Sequence, residues 1–213
     1  MEKDFLKIQK KLAICPELCT GHPRRLVIVA TQDRVSPIRG GGGLRSVKVA
    51  QQLNARGLDV RIFAVSDREN ISGIPVTPLT PLEKGGKDLS STLKFMRGIL
   101  ALLWKHRREI DVIFVHNSGA GIPVIFFGIF FRRIKIVYDI TDIHCEYIRV
   151  KAKGFLNKIF LSVISFVEYW SIKSAPLIIV VSKAMKDFLS KKGVDNKKIR
   201  VVYDGVEIRD FTP

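Results

Sequence analysis

Cysteine is scarce in this chain of 213 residues, which contains only Cys15, Cys19 and Cys145. The count is odd, and the first residues lack the long apolar core of a secretory signal, so a reducing, cytoplasmic setting is predicted. Cys15, Cys19 and His22 offer three metal ligands, whereas zinc sites usually present four. We therefore expect no metal site.

Acidic residues are also few, because 20 Asp and Glu stand against 36 Lys and Arg, giving a net charge of +16 at pH 7. Such a chain favours anionic partners: nucleic acid, acidic lipid headgroups or phosphorylated small molecules. Basic residues cluster beside apolar runs, at 105–108, 132–135 and 149–153. No helix-turn-helix pattern or aromatic-interleaved basic stripe is evident, so phosphate or membrane contact is expected, and no nucleic-acid partner. The alternative is a generally basic, solvated surface.

No apolar run is long enough to cross a bilayer, which needs about 20 apolar residues. Ile122–Phe131 holds ten residues, and Phe155–Trp170 is interrupted by Asn157, Lys158 and Glu168. Each run is either a helix lying in the membrane interface or a helix packed on a sheet, and packing is preferred for the first. The expected location is cytoplasmic, with peripheral contact at the inner face of the cell membrane.

Regular alternation of strand and helix patterns begins at Leu26, after an N-terminal extension of residues 1–24. Strands are predicted at Leu26–Ala30, Val60–Val65, Val76–Leu79, Asp111–Val115, Ile134–Tyr138, Leu177–Val181 and Ile199–Tyr203. Helices are predicted at Leu44–Arg56, Ser90–Arg108, Ile122–Phe131, Phe155–Lys173 and Lys183–Lys192. Continuous apolar strands joined by crossover helices require a parallel sheet covered on both faces. The predicted fold is a Rossmann-like three-layer α/β/α domain.

A glycine-rich segment, Gly40–Gly43, separates the first predicted strand from the first predicted helix and precedes Leu44 and Arg45. Glycines let a ligand approach the backbone closely, and the N–H groups at a helix start suit a phosphate. The segment matches neither Gly-x-Gly-x-x-Gly nor Gly-x-x-x-x-Gly-Lys-Ser/Thr, which excludes a dinucleotide fingerprint and a P-loop. A flexible loop is the alternative.

Polar residues follow two further strands, at the sheet edge where ligands gather in parallel α/β folds. His116 begins the predicted loop His116–Gly121, at the carboxyl end of the strand that starts at Asp111. The next strand runs into a segment with three carboxylates and an imidazole: Asp139, Asp142, His144 and Glu146. Such groups can bind a hydroxyl or act in acid–base chemistry. Alternatively, the two aspartates cap a turn and Glu146 pairs with Arg149.

Several motifs appear in a characteristic order. They are Pro-x-x-Gly-Gly after the first strand, Ala50 to Val60, Asp111-Val-Ile-x-x-His116, and the more specific stretches from Trp170 to Met185 and from Lys198 to Glu207. Together they resemble the N-terminal domain of family 4 retaining glycosyltransferases, which have the two-domain GT-B fold. The likeness covers about residues 25–213.

The resemblance implies transfer of a sugar from a nucleotide-sugar donor to an acceptor held mainly by this domain, usually without a metal and with no separate cofactor. The glycine-rich loop of such enzymes lies near the donor phosphates, which implies that role for Gly41, Gly42, Gly43 and Arg45. A strand-end histidine assists at the reacting sugar, which implies a catalytic role for His116. The candidate acceptor contacts are Asn117, Asp142, His144 and Glu146.

Two departures from the family pattern are Thr141 before Asp142, in place of histidine, and Asp204 before Gly205, in place of asparagine.

The expected domains are the extension at 1–24, the GT-B N-terminal domain at 25–205 and the start of an inter-domain connector at 206–213, with the donor-binding C-terminal half absent. The favoured interpretation is an acceptor domain, acting at a membrane on a lipid-linked or polysaccharide acceptor, with a C-terminal half in cis or in trans. The alternatives are a non-catalytic binding or anchoring subunit of a split enzyme and a nucleotide-dependent epimerase.

Overall fold

The computed structural model describes residues 25–38, 40–79, 89–146 and 155–203. The predicted N-terminal extension, the basic residues at 149–153 and the predicted connector at 206–213 lie outside these ranges. The proposed domain boundaries therefore stay predictions.

One eight-stranded sheet organises the described residues. Its strand order is β3-β4-β2-β1-β5-β6-β7-β8, and the neighbouring strands are parallel except for the antiparallel β3–β4 pair. The first five residues of β1, Leu26–Ala30, are all buried, because helices cover both faces of the sheet. The strands are β1 (Leu26–Ser36), β2 (Asp59–Ser66), β3 (Asn70–Ile71), β4 (Ile74–Leu79), β5 (Ile110–His116), β6 (Lys135–Ile140), β7 (Leu177–Val180) and β8 (Ile199–Val201).

Helices on both faces complete the predicted three-layer architecture, which is confirmed. They are α1 (Gly41–Asn54), α2 (Leu89–His106), α3 (Asn117–Phe130), α4 (Phe155–Ser174) and α5 (Lys183–Lys191), followed by a 3-10 turn at Asn196–Lys198. Val47 and Ala50 of α1 pack on one face of the sheet. The other four helices pack on the opposite face through a larger apolar core, to which each contributes: Ile99, Val124, Ile172 and Leu189.

The strand order contains a switch point between β1 and β5. From β1 the chain moves outward through β2 to β4, and it then returns to place β5 on the other side of β1. At such a point the connections leave the sheet on opposite faces, so a crevice opens at the carboxyl ends of the two strands. The fold therefore places its natural ligand-binding position beside the ends of β1 and β5.

The largest departure from the predicted boundaries concerns the segment after His116. The sequence suggested a loop at His116–Gly121, but His116 ends β5 and Asn117–Gly121 forms the first turns of α3. Small residues are needed there because the helix lies very close to its neighbours. A Cβ at Gly119 would overlap the Gln32 side chain, and a Cβ at Gly121 would overlap the ring of Tyr138.

Other differences from the predicted boundaries are smaller. Strand β1 continues to Ser36 through register shifts, and α1 begins at Gly41 rather than Leu44. The short β3–β4 hairpin was not predicted. It turns through Ser72 and Gly73, whose positive φ angles of 52° and 81° suit a tight two-residue turn. The caps predicted for α5 are confirmed: the Ser182 side chain accepts a hydrogen bond from the Met185 N–H, and Gly193 has φ 84°.

Replacing Gly121 with alanine should destabilise the fold by about 1–3 kcal/mol, because the new methyl group overlaps the fully buried Tyr138 ring. Urea unfolding of the purified variant measures this loss. Gly41→Ala is the matched control, since a Cβ at that position meets nothing within 4 Å. Equal unfolding free energies for the two variants would contradict the close α3 packing.

Candidate functional site

The ends of β1, β5 and β6 bring a compact set of polar side chains to the switch point. His116 is the last residue of β5 and pairs in register with Asp139 of β6. Both side chains are completely buried. The imidazole Nδ1 lies 2.8 Å from Asp139 Oδ2.

Arg45 of α1, the helix that covers this face of the sheet, completes the arrangement. Its Nε donates to Asp139 Oδ2 at 2.7 Å, and its Nη2 donates to Oδ1 at 2.8 Å. Burial alone would raise the pKa of Asp139, but the hydrogen bonds from Arg45 and His116 outweigh burial and hold that pKa below its ordinary value. Asp139 is therefore a carboxylate, and the His116 Nδ1–H donates to it.

The opposite nitrogen of the imidazole is the one available for chemistry. With Nδ1 protonated, a neutral ring carries its lone pair at Nε2, which accepts a hydrogen bond from Asn117 Nδ2 at 3.1 Å. The Asp33 Oδ2, on β1, lies 3.4 Å from the same nitrogen. Asn117 and Asp33 therefore both lie beside Nε2.

The glycine-rich start of α1 lies against this histidine. A Cβ at Gly42 would come within 2.8 Å of His116 Nε2 and would overlap the Asp33 carboxylate. Gly40 occupies the N-cap position with φ 86°, and no side chain caps the helix. The first-turn N–H groups of Gly41, Gly42 and Gly43 therefore receive no hydrogen bond from an N-cap side chain, since glycine has none.

Asn117 joins the end of β5 to the turn after β6. Its Oδ1 accepts hydrogen bonds from Thr141 N at 3.1 Å, from Thr141 Oγ1 at 3.0 Å and from Asp142 N at 3.4 Å. Its own backbone has φ 58°, a conformation that asparagine tolerates better than most residues. Asp142 itself is exposed at the mouth of the crevice.

A second buried carboxylate, Glu168 of α4, organises the segment that follows. It accepts hydrogen bonds from His144 N at 3.0 Å, from Cys145 N at 2.7 Å and from the Ser118 hydroxyl. Burial, reinforced by Glu168, raises the pKa of the Cys145 thiol to about 11, so this cysteine stays protonated at neutral pH. Glu168 is thus the anchor that holds His144 beside the site.

His144 reaches the site through Gln32. The two side chains meet at 3.0 Å, between Gln32 Nε2 and His144 Nε2, and Gln32 is the residue before Asp33 on β1. Glu146 contacts a different set of residues: it accepts from Tyr169 Oη at 2.8 Å and lies 3.6 Å from Lys192 Nζ. Burial and this hydrogen bond raise the pKa of Tyr169.

The structure therefore brings together most of the residues that the sequence suggested. His116 contacts Asn117 and lies beside Gly42, and Arg45 joins them through Asp139. His144 contacts Gln32, the residue before Asp33 on β1. Asp33 and Glu168 were not named as site candidates, and Asp139 was named among the strand-end carboxylates but not as the partner of Arg45 and His116. Asp139 carried a visible signal, as an acidic residue within an apolar strand, whereas Asp33 and Glu168 are recognisable only by their tertiary contacts.

Metal and membrane features were also sought in the described ranges. There, no cluster of three or more His, Cys, Asp and Glu side chains could hold a metal ion. Cys15, Cys19 and His22 fall outside these ranges. None of the helices there combines the length and apolar character that crossing a bilayer requires.

Sequence comparison gives one family match. The family described as Glycosyltransferase Family 4 matches residues 39–210. A comparison with curated protein sequences found no match.

Solved structures with a similar fold include three of interest. The catalytic domain of starch synthase IV from Arabidopsis thaliana, bound to ADP and acarbose, matches with TM-score 0.61 and 13% identity over 90% of this chain and 54% of its own. WaaG, a glycosyltransferase involved in lipopolysaccharide biosynthesis, matches with TM-score 0.60 and 15% identity over 84% and 45%. Anabaena Alr3699/HepE in complex with UDP matches with TM-score 0.58 and 16% identity over 87% and 45%.

These likenesses concern the fold, because the sequence identities are low. They confirm the predicted N-terminal half of a GT-B fold. This chain spans about half the length of the solved structures that it matches.

Removing the Asp139 charge tests the buried ion pair. Asp139→Asn should cost about 3–5 kcal/mol of unfolding free energy at neutral pH, since it removes the buried negative charge that Arg45 pairs with. The depressed pKa of Asp139 means that its contribution is present above the ordinary value of 3.8 and is lost as pH falls through the lower folded value. The difference between parent and variant in urea unfolding should therefore shrink on acidification. A difference that stays constant with pH would contradict this, and the exposed Asp142→Asn is the control.

Glu168→Gln should loosen the turn at His144 and Cys145. A neutral amide accepts less strongly, and its NH2 group would face backbone donors, at a cost of about 1–3 kcal/mol. Hydrogen exchange followed by mass spectrometry should show faster exchange at these two amides. Glu146→Gln is the matched control, because Glu146 accepts from Tyr169 and no hydrogen bond from these amides to it is found in the described structure. Unchanged protection in Glu168→Gln would show that the carboxylate is not the anchor.

Proposed function

This chain belongs to glycosyltransferase family 4, and from that premise we propose that it forms the acceptor-binding half of an enzyme that transfers a sugar from a nucleotide-sugar donor. The observation that carries the proposal is the Arg45, Asp139 and His116 hydrogen-bond chain at the switch point, against the glycine-rich start of α1. This position is where parallel α/β sheets receive their ligands.

The start of α1 suits the donor phosphates. Sugar transfer from a nucleotide-sugar leaves negative charge on the departing diphosphate, and first-turn N–H groups with the positive end of the helix dipole stabilise such charge. Gly41, Gly42 and Gly43 would supply these N–H groups. Arg45 uses two of its nitrogens to bind Asp139. Its main contribution would therefore be to hold the side chains of the site in place and to add positive charge near the donor phosphates.

His116 would act on the transferred sugar. Asp139 fixes the ring so that Nε2 lies beside Gly42, and this nitrogen would bond a sugar hydroxyl of the donor. Glycosyl transfer develops positive charge on the sugar ring, and the Asp33 carboxylate near Nε2 adds negative potential at this point. His116 and Asp33 together would favour the charged transition state over the bound donor.

The acceptor would lie along the turn that follows β6. Asn117, Asp142 and His144 line this edge, with Glu146 further along, and they offer both donors and acceptors for hydroxyl groups. A polyhydroxylated acceptor, either lipid-linked or a polysaccharide, fits such a polar edge. We place the reaction at a membrane surface, in the cytoplasm, with peripheral contact at the inner face of the cell membrane.

A donor-binding half is required to complete the cleft, in cis or in trans. The solved structures similar to this chain are about twice as long, and those bound to ADP or UDP support a nucleotide-sugar as donor. No metal or separate cofactor is part of the proposal. The alternative is a non-catalytic subunit that binds or anchors the acceptor for a separate chain.

The test is nucleotide release from a panel of UDP- and GDP-sugars, with membranes as the acceptor source, for this chain with and without a supplied donor-binding half. Turnover should require both halves and should fall about 10²-fold or more in His116→Ala. His106→Ala, at the end of α2 and outside the crevice, is the matched control and should retain activity. A well-folded pair without turnover would instead favour the binding or anchoring role.

A further inference from the structure

An open apolar groove lies on the solvent side of the helix layer formed by α2, α3 and α4. Its volume is about 450 Å³, and its lining is almost entirely hydrophobic. The principal lining residues are Leu93, Met96, Ile122, Phe126, Phe166 and Trp170. This groove is separate from the crevice at the strand ends, and none of the site residues lines it.

The surface around the groove is also apolar and exposed. Phe166 is 72% exposed, and Phe126 packs edge-to-face against Phe130, which is 67% exposed. Seven of the ten exposed large hydrophobic side chains in the described ranges lie on these three helices: Leu93, Trp104, Phe126, Ile129, Phe130, Val163 and Phe166. A contiguous surface of this kind marks a docking site rather than ordinary solvent exposure. We call it the apolar helix face.

Basic residues predominate on the three helices of the apolar helix face. The sequences of α2, α3 and α4 contain a single acidic residue, Glu168, and that side chain is buried. Exposed basic residues border the face on α2 and just after α3: Lys94, Arg97, Lys105, Arg132 and Arg133. An apolar surface rimmed by cations complements a layer of acyl chains beneath anionic headgroups.

We propose that the apolar helix face docks on the surface of an anionic lipid bilayer. The aromatic side chains would enter the boundary between headgroups and acyl chains, and the basic residues would contact lipid phosphates. Trp104, with the Arg107 guanidinium 5.0 Å from its ring centroid, has the amphipathic character that interfaces favour. Docking buries one side of folded helices and does not require any segment to cross the membrane.

Helix α3 links this surface to the candidate site. It begins at Asn117, which contacts His116, and Phe126 follows nine residues later, roughly 14 Å along the helix axis. A domain docked in this way would hold its crevice close to the headgroup layer. The assignment rests on the proposed function in one respect only: docking would bring an acceptor that is carried by a lipid to the turn after β6.

Vesicle binding tests the proposal directly. The chain is sedimented with sucrose-loaded vesicles of phosphatidylcholine alone or mixed with phosphatidylglycerol, without donor or acceptor. Strong binding is expected only to the mixed vesicles, and added salt should weaken it. The double variant Phe126→Glu, Phe166→Glu should reduce the partition coefficient at least tenfold, while far-ultraviolet circular dichroism and the melting temperature confirm that it is folded.

A charge-matched control separates the apolar contact from net charge. Gln52→Glu with Asn54→Asp adds two negative charges to exposed positions of α1, on the opposite face of the sheet, and should change binding less than twofold. Arg97→Gln with Arg133→Gln should weaken binding to the mixed vesicles only. Equal losses in the two acidic double variants would overturn the assignment, because charge alone would then explain binding.

Two other results would also overturn it. One is an absence of binding to the mixed vesicles, or equal binding to both compositions. The other is a dimer in analytical ultracentrifugation that Phe126→Glu, Phe166→Glu dissociates without changing lipid binding, which would assign the face to a second copy of the chain. Both results are obtained without donor or acceptor, so sugar transfer is tested separately by nucleotide release.

Discussion

The buried Asp139 carboxylate is the constraint on which the rest of the site depends. A charge that is completely removed from water is tolerated only when its hydrogen bonds and opposite charges are supplied by the fold. Arg45 reaches it from α1, and His116 reaches it from β5, so one charged group fixes the relative positions of three elements. Any arrangement that moves α1 away from the sheet edge would leave this charge without its main partner. The same hydrogen bonds decide which nitrogen of His116 faces the crevice.

A second buried carboxylate extends this order outward. Glu168 belongs to α4, and its carboxylate oxygens accept hydrogen bonds from the backbone of the turn after β6 and from the Ser118 hydroxyl of α3. The two carboxylates therefore have separate roles: Asp139 holds the centre of the site, and Glu168 supports the turn that follows β6. Glycines make the spacing possible, because Gly42, Gly119 and Gly121 lie where a side chain would overlap a neighbour.

Helix α3 contributes both to the candidate site and to the apolar helix face. Its first turn lies under His116 and the turn after β6, its inner side packs on the sheet through Val124 and Phe127, and its outer side exposes Phe126 and Phe130. The preferred interpretation of this apolar run, packing on the sheet, is correct for the inner side. The outer side retains the character that an interfacial helix would have. One helix thus connects the chemistry at the sheet edge with the surface that we assign to lipid.

The sequence by itself determined the layered parallel fold and the strand ends at which polar groups gather, since apolar periodicity and crossover connections depend on local pattern. Local sequence patterns also pointed to the glycine-rich segment and to His116 as candidate site residues. Only the tertiary structure decided that Asp139 pairs with Arg45, 94 positions away, that Asp33 lies beside His116, and that Glu168 supports the turn at His144. It also decided that Asn117–Gly121 is helical, because close packing against Gln32 and Tyr138 requires small residues that local pattern assigns to a loop. These contacts join residues distant in sequence, and their geometry is set by strand register and helix placement, which no local pattern encodes.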